Sequence, residues 1–105
     1  MAITQVPINP APSNARLIVP QGKRRWLRIA CLSGSVGAFW IHFGTPGAGI
    51  TTGDMYFYPG YEFNWGNVSY GSGPAYQVPS APDDAIYIIT DNPSNAATGS
   101  IAYSV

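Results

Sequence analysis

The chain has 105 residues, of which 46% are hydrophobic and 10% charged, with five basic and five acidic side chains and no net charge. That length fits one domain with one core. Neutrality argues against a dedicated nucleic-acid binder, and no apolar run approaches the roughly 18 residues of a membrane span. The charges are segregated: every basic residue lies between Arg16 and Arg28, and every acidic one follows Gly53. Opposite ends of this kind favour head-to-tail attraction between copies.

Residues 1–14 carry Pro7, Pro10 and Pro12 and show no periodicity. They read as an extended N-terminal arm, either frayed or laid along a neighbouring subunit, ahead of a folded domain over 15–105. Strand signals begin at Arg16–Val19 and stop at the Pro20-Gln21-Gly22 turn. Arg24–Leu32 alternates, with Leu27, Ile29 and Cys31 on one face and Arg24, Trp26, Arg28 and Ala30 on the other. Ser33–Gly37 has the length of a hairpin loop. Ala38–Phe43 then alternates again, placing Trp40 and His42 opposite Phe39, Ile41 and Phe43.

After a glycine-rich loop over Gly44–Gly53, strands are predicted at Asp54–Tyr58 and Tyr61–Trp65 around a Pro59-Gly60 turn. Gly66–Pro82 reads as a long surface excursion. Ala85–Thr90 is a continuous apolar strand, fit for burial on both faces, and Ser100–Val105 closes the chain with Ile101, Tyr103 and Val105 inward. No segment has sustained helical periodicity. The expected fold is all-β: a single small antiparallel β-sandwich or barrel, jelly-roll-like, with the N-terminal arm outside it.

If Ser33–Gly37 closes a hairpin, Arg24, Trp26, Arg28, Trp40 and His42 share one outward ribbon. Indoles beside guanidiniums suit a protein interface through cation–π contacts. The same residues could instead line a second buried face or lie under the Gly66–Pro82 excursion. The mid-chain aromatics Tyr56, Tyr58, Tyr61, Trp65, Tyr70 and Tyr76 offer a different surface, a platform for sugar rings.

Catalytic and metal chemistry find little footing. His42 is the only histidine, with arginines as its predicted neighbours, and Cys31 is the only cysteine and faces the core. Asp83-Asp84 reads as a turn device, and Gly44–Gly49 lacks the lysine of a phosphate cradle. No cofactor or metal is expected, and the protein is not expected to be an enzyme. The opening residues lack the charged and apolar regions of a secretory signal, so synthesis without ordinary export is expected.

In chain order come Pro20-Gln21-Gly22-Lys23-Arg24, Ile41-His42-Phe43-Gly44, Pro59-Gly60-Tyr61-Glu62-Phe63 and Ala85-Ile86-Tyr87-Ile88-Ile89. This succession resembles small virion structural proteins of tailed bacteriophages. The resemblance implies a capsid decoration (cement) protein, made in the host cytoplasm and residing in the virion. Its partners would be the major capsid protein or copies of itself, with neither membrane nor nucleic acid. The alternative is a carbohydrate- or receptor-binding β-sandwich module of a phage fibre.

Overall fold

The computed structural model describes residues 3–44, 54–66 and 81–105. Eight strands occur among them: β1 (Ile3–Ile8), β2 (Arg16–Val19), β3 (Trp26–Cys31), β4 (Phe39–Phe43), β5 (Met55–Phe57), β6 (Glu62–Gly66), β7 (Ile86–Thr90) and β8 (Gly99–Ser104). They form two four-stranded sheets, ordered β1-β8-β3-β6 and β2-β7-β4-β5. Antiparallel pairing is nested: first strand with last, second with seventh, third with sixth, fourth with fifth. Pairs β3–β8 and β4–β7 complete the sheets. A long hairpin rolled up on itself in this way is a jelly roll, so the expected all-β sandwich is correct.

The core follows from period-2 alternation. Leu27, Ile29 and Ile101 from one sheet meet Phe39, Ile41, Phe57, Ile86 and Ile88 from the other, all essentially without solvent contact. Burial of each such side chain contributes about 1.5–3 kcal/mol. Phe39 and Phe57 stack at 5.3 Å across the β4–β5 pair.

The N-terminal arm is not what forms. Residues 3–8 pair along their whole length with β8, from Ile3 opposite Ser104 to Ile8 opposite Gly99. Val6 and Ile8 point inward, and Ile8 and Ala11 join the core. Pro7 is compatible because β1 is an edge strand, where a missing N–H need not break a ladder. Beyond β1, Ala11 N donates to Ala97 O at 2.8 Å, and Pro12 O accepts from Thr90 N at 2.8 Å. Pro7, Pro10 and Pro12 therefore belong to the sandwich and its rim.

Two smaller readings also change. Val105 is exposed rather than inward, since β8 ends at Ser104. On β7, Tyr87 and Ile89 are only half-buried, so this strand has one core face, not two. The Pro59-Gly60 turn is as read: Tyr61 N donates to Tyr58 O at 2.9 Å, and Gly60 takes φ +90°, as a type II turn requires at its third residue.

Gly66 ends β6 with φ +88°, and a Cβ there would collide with the Arg25 carbonyl. Gly66→Ala should therefore cost about 3 kcal/mol, combining left-handed strain with a backbone clash. A melting temperature lowered by roughly 10–20 °C is expected, and a shift of a degree or two would refute the tight approach.

Candidate functional site

The predicted ribbon is divided between opposite faces of the molecule. β3 and β4 lie in different sheets, so Ser33–Gly37 carries the chain across the sandwich instead of closing a hairpin. Ser35 holds this crossing: its Oγ donates to Gly37 O at 2.6 Å and accepts from Thr98 N at 2.9 Å. Trp26 and Arg28 consequently lie on the outer face of the β1-β8-β3-β6 sheet, and Trp40 and His42 on the outer face of the other.

Arg24 belongs to neither face. It is buried, and its guanidinium donates from Nη1 to Pro82 O at 2.6 Å and Asp84 O at 2.8 Å, and from Nη2 to Pro20 O at 2.8 Å. Its own N–H donates to Asp83 Oδ1 at 3.1 Å, and the cation lies 5.6 Å from the Tyr103 ring centroid. Burial lowers its pKa, opposed by Tyr103, Asp83 and Asp84. It is a structural clamp, so its place in the expected interface is corrected. Asp83 and Asp84 are likewise more than a turn device.

Folding also undoes the charge segregation. Asp83 and Asp84 return to the Arg24 loop, and Arg28 Nε lies 3.1 Å from Glu62 Oε1 on the neighbouring strand. Asp91 follows β7 at the end where β2 begins with Arg16. Sequence order suggests a basic and an acidic end, but antiparallel return strands bring acidic residues back beside Arg24 and Arg28.

On the Trp26 face, Trp26 sits between Ser104 and Gly66, and Arg28 between Ala102 and Asn64. Trp26 Nε1 and Ser104 Oγ are buried, and no group among the described residues hydrogen-bonds to them. Arg28 Nε is close to Glu62 but also lacks an aligned hydrogen bond, so the contact is an ion pair by proximity. Ile3, Gln5 and Pro7 extend the face outward along β1.

The Trp40 face is more aromatic. Ile89, Trp40 and Tyr56 form one cross-strand row, and Leu17, Tyr87 and His42 the next. Trp40 Nε1 donates to Asp91 Oδ1 at 2.9 Å, which fixes the indole, and its ring lies 4.7 Å from Tyr56. Tyr56 continues to Tyr58 at 6.5 Å, and Tyr58 stacks nearly parallel on Tyr61 at 5.0 Å. Burial and the Asp91 carboxylate push the Tyr56 phenol up. Tyr56 and Tyr58 remain 38% and 53% exposed.

His42 has a carboxylate partner after all: Nδ1 lies 2.6 Å from Asp54 Oδ1. The expected arginine neighbours are in the other sheet. Such a pair can orient an imidazole, but Cys31 is inside the sandwich, where burial raises its thiol pKa. Among the described residues, no group of three or more His, Cys, Asp or Glu could hold a metal ion. Of the mid-chain aromatics, Trp65 is core, 4.4 Å from Phe63 and 5.4 Å from Phe43. Tyr70 and Tyr76, with most of the Gly66–Pro82 excursion and the Gly44–Gly53 loop, lie outside the described residues.

Comparison with known proteins finds no matching family model, curated protein or solved structure.

Proposed function

We propose that this chain is a virion structural protein of a tailed phage, a decoration subunit that stabilises the head by attaching to the major capsid protein. The observation that carries this reading is the row of polar atoms on the Trp26 face. Trp26 Nε1, Ser104 Oγ and Arg28 Nε lack aligned partners among the described residues, and buried polar groups left so are costly. A partner whose docking shifts these side chains and supplies carbonyl or carboxylate acceptors would relieve that cost. Trp and Arg are also the types that dominate interface energetics. The low charge, the jelly roll and the motif succession from Pro20 to Ile89 support the same reading.

Purified particles of the source virus should contain the protein in many copies, on the head in immunogold images. Trp26→Phe keeps an aromatic six-membered ring but removes the pyrrole ring with its N–H. It should weaken retention on particles about five- to tenfold, as expected when one buried hydrogen bond is lost, with the melting temperature nearly unchanged. Particles that lack the protein altogether would overturn the virion reading. Unchanged retention of the variant would overturn the Trp26 face as the contact.

A further inference from the structure

Attachment through the Trp26 face leaves the opposite sheet face unused, and its chemistry is distinctive. Trp40, Tyr56 and Tyr58 form a continuous run of rings, each supported by another group. The indole is hydrogen-bonded to Asp91, Tyr56 packs on Trp40, and Tyr58 stacks on Tyr61. Rings fixed before a ligand arrives lose little entropy on binding. Their electron-rich faces attract C–H groups that carry a partial positive charge.

The polar groups beside the rings narrow the choice of ligand. Asp91 accepts hydrogen bonds from Trp40 and the Tyr56 hydroxyl and, as a carboxylate with about four acceptor sites, retains capacity for more. Asp54 stands against His42 at the far side of the same face. β4, β5 and β7 contribute no lysine or arginine, and Arg16 of the edge strand β2 is in register with the inward-facing Ile88, so a polyanion on the outer face would meet carboxylates with little compensation. A protein partner that covered the rings would also have to bury Asp91, which is costly unless a cation accompanies it. An uncharged ligand that offers many hydroxyl donors and apolar ring faces meets both requirements at once.

We infer that the outer face of the β2-β7-β4-β5 sheet is a binding platform for a neutral oligosaccharide, its pyranose rings stacked on Trp40, Tyr56 and Tyr58 and its hydroxyls donating to Asp91. The site does not depend on the virion reading, since it can be assayed on isolated protein without particles. On a virion it would face outward, towards a cell-surface polysaccharide.

The test is affinity electrophoresis and Trp-fluorescence titration of the full chain against immobilised and soluble glycans. The neutral set comprises β-glucan, xylan, mannan and N-acetylglucosamine oligomers, and the anionic set alginate and heparin. At least one neutral glycan should bind with a dissociation constant below about 1 mM. Trp40→Ala and Tyr58→Ala should each weaken it tenfold or more. Tyr58 projects from a turn, so its variant keeps its melting temperature and remains informative even if Trp40→Ala folds poorly. Trp26→Phe should leave glycan binding unchanged. Failure of the whole neutral set, binding confined to the anionic set, or affinity unaffected by Tyr58→Ala would overturn the inference. So would loss of particle retention in Tyr58→Ala without glycan binding by the parent protein, because the face would then be a protein contact.

Discussion

Deleting residues 3–14 should unfold the domain, not merely trim it. β1 occupies the edge of its sheet and pairs with β8 at six successive positions. Its loss would strip Ile8 and Ala11 from the core and open the edge of Ile101 and Tyr103 to water. Burial of Ile8 alone contributes about 1.5–3 kcal/mol. Thr90 N would lose the Pro12 carbonyl, at about 1 kcal/mol more, and the β8 ladder would lose one whole side. A total of at least about 4 kcal/mol is expected, a large share of the 5–15 kcal/mol that separates folded from unfolded domains. Circular dichroism should show no cooperative melt, or one lowered by more than roughly 15 °C. A truncated chain that melts within a few degrees of the full one would mean that β1 is an appendage after all.

That strand shows where the sequence was legible and where it was not. Alternation was plain in Leu27, Ile29 and Cys31 and in Phe39 and Ile41, because interior strands put a large side chain at every second position. In β1 the same period is present in Val6 and Ile8, but Pro7 between them read as a break. An edge strand tolerates proline, and edge position is a property of the assembled sheet, which local sequence does not carry. Nested pairing was hidden for a similar reason. Ser33–Gly37 has the length of a hairpin loop, and length alone does not separate a turn within one sheet from a crossing between two. The signs of the crossing are distant: Gly37 approaches Asn95 too closely for a side chain, and Ser35 binds Thr98.

The candidate site suffered most from this ambiguity. Alternation sets Trp26 and Trp40 opposite the core positions, but in the fold they occupy opposite faces of the molecule and not one ribbon. His42 found its carboxylate in Asp54, on the far side of the Gly44–Gly53 loop, where no periodicity connects the two. The cationic residues look like one patch because all of them lie between Arg16 and Arg28. In the fold they divide into the buried Arg24, the Glu62-paired Arg28, and Arg16, Lys23 and Arg25, which form no ion pair among the described residues. Charge order along a chain predicts surface potential only when the fold keeps neighbours together, and a rolled hairpin instead brings each segment against its distant counterpart.

Arg24→Met should be the most damaging single change to a charged residue in this protein. Methionine fills similar volume but leaves the Pro20, Pro82 and Asp84 carbonyls without their shared donor. These carbonyls come from the loop before β3 and the segment before β7, so one guanidinium closes that end of the sandwich. Hydrogen bonds to a charged group are worth about 1.5–3 kcal/mol each, but partial access of water to the loop reduces the sum. A net loss of about 2–4 kcal/mol is expected, and denaturant titration should show a lower midpoint with an unchanged slope. Arg24→Lys should recover only part of it, because an ammonium cannot present the planar fork that reaches three oxygens at once. Asp83→Ala should cost about 1 kcal/mol, since it removes only the acceptor for the Arg24 N–H. If Arg24→Met instead retains full stability and weakens association with particles, the guanidinium is free to leave the loop, and the interface role suggested by its position beside Trp26 would have to be restored.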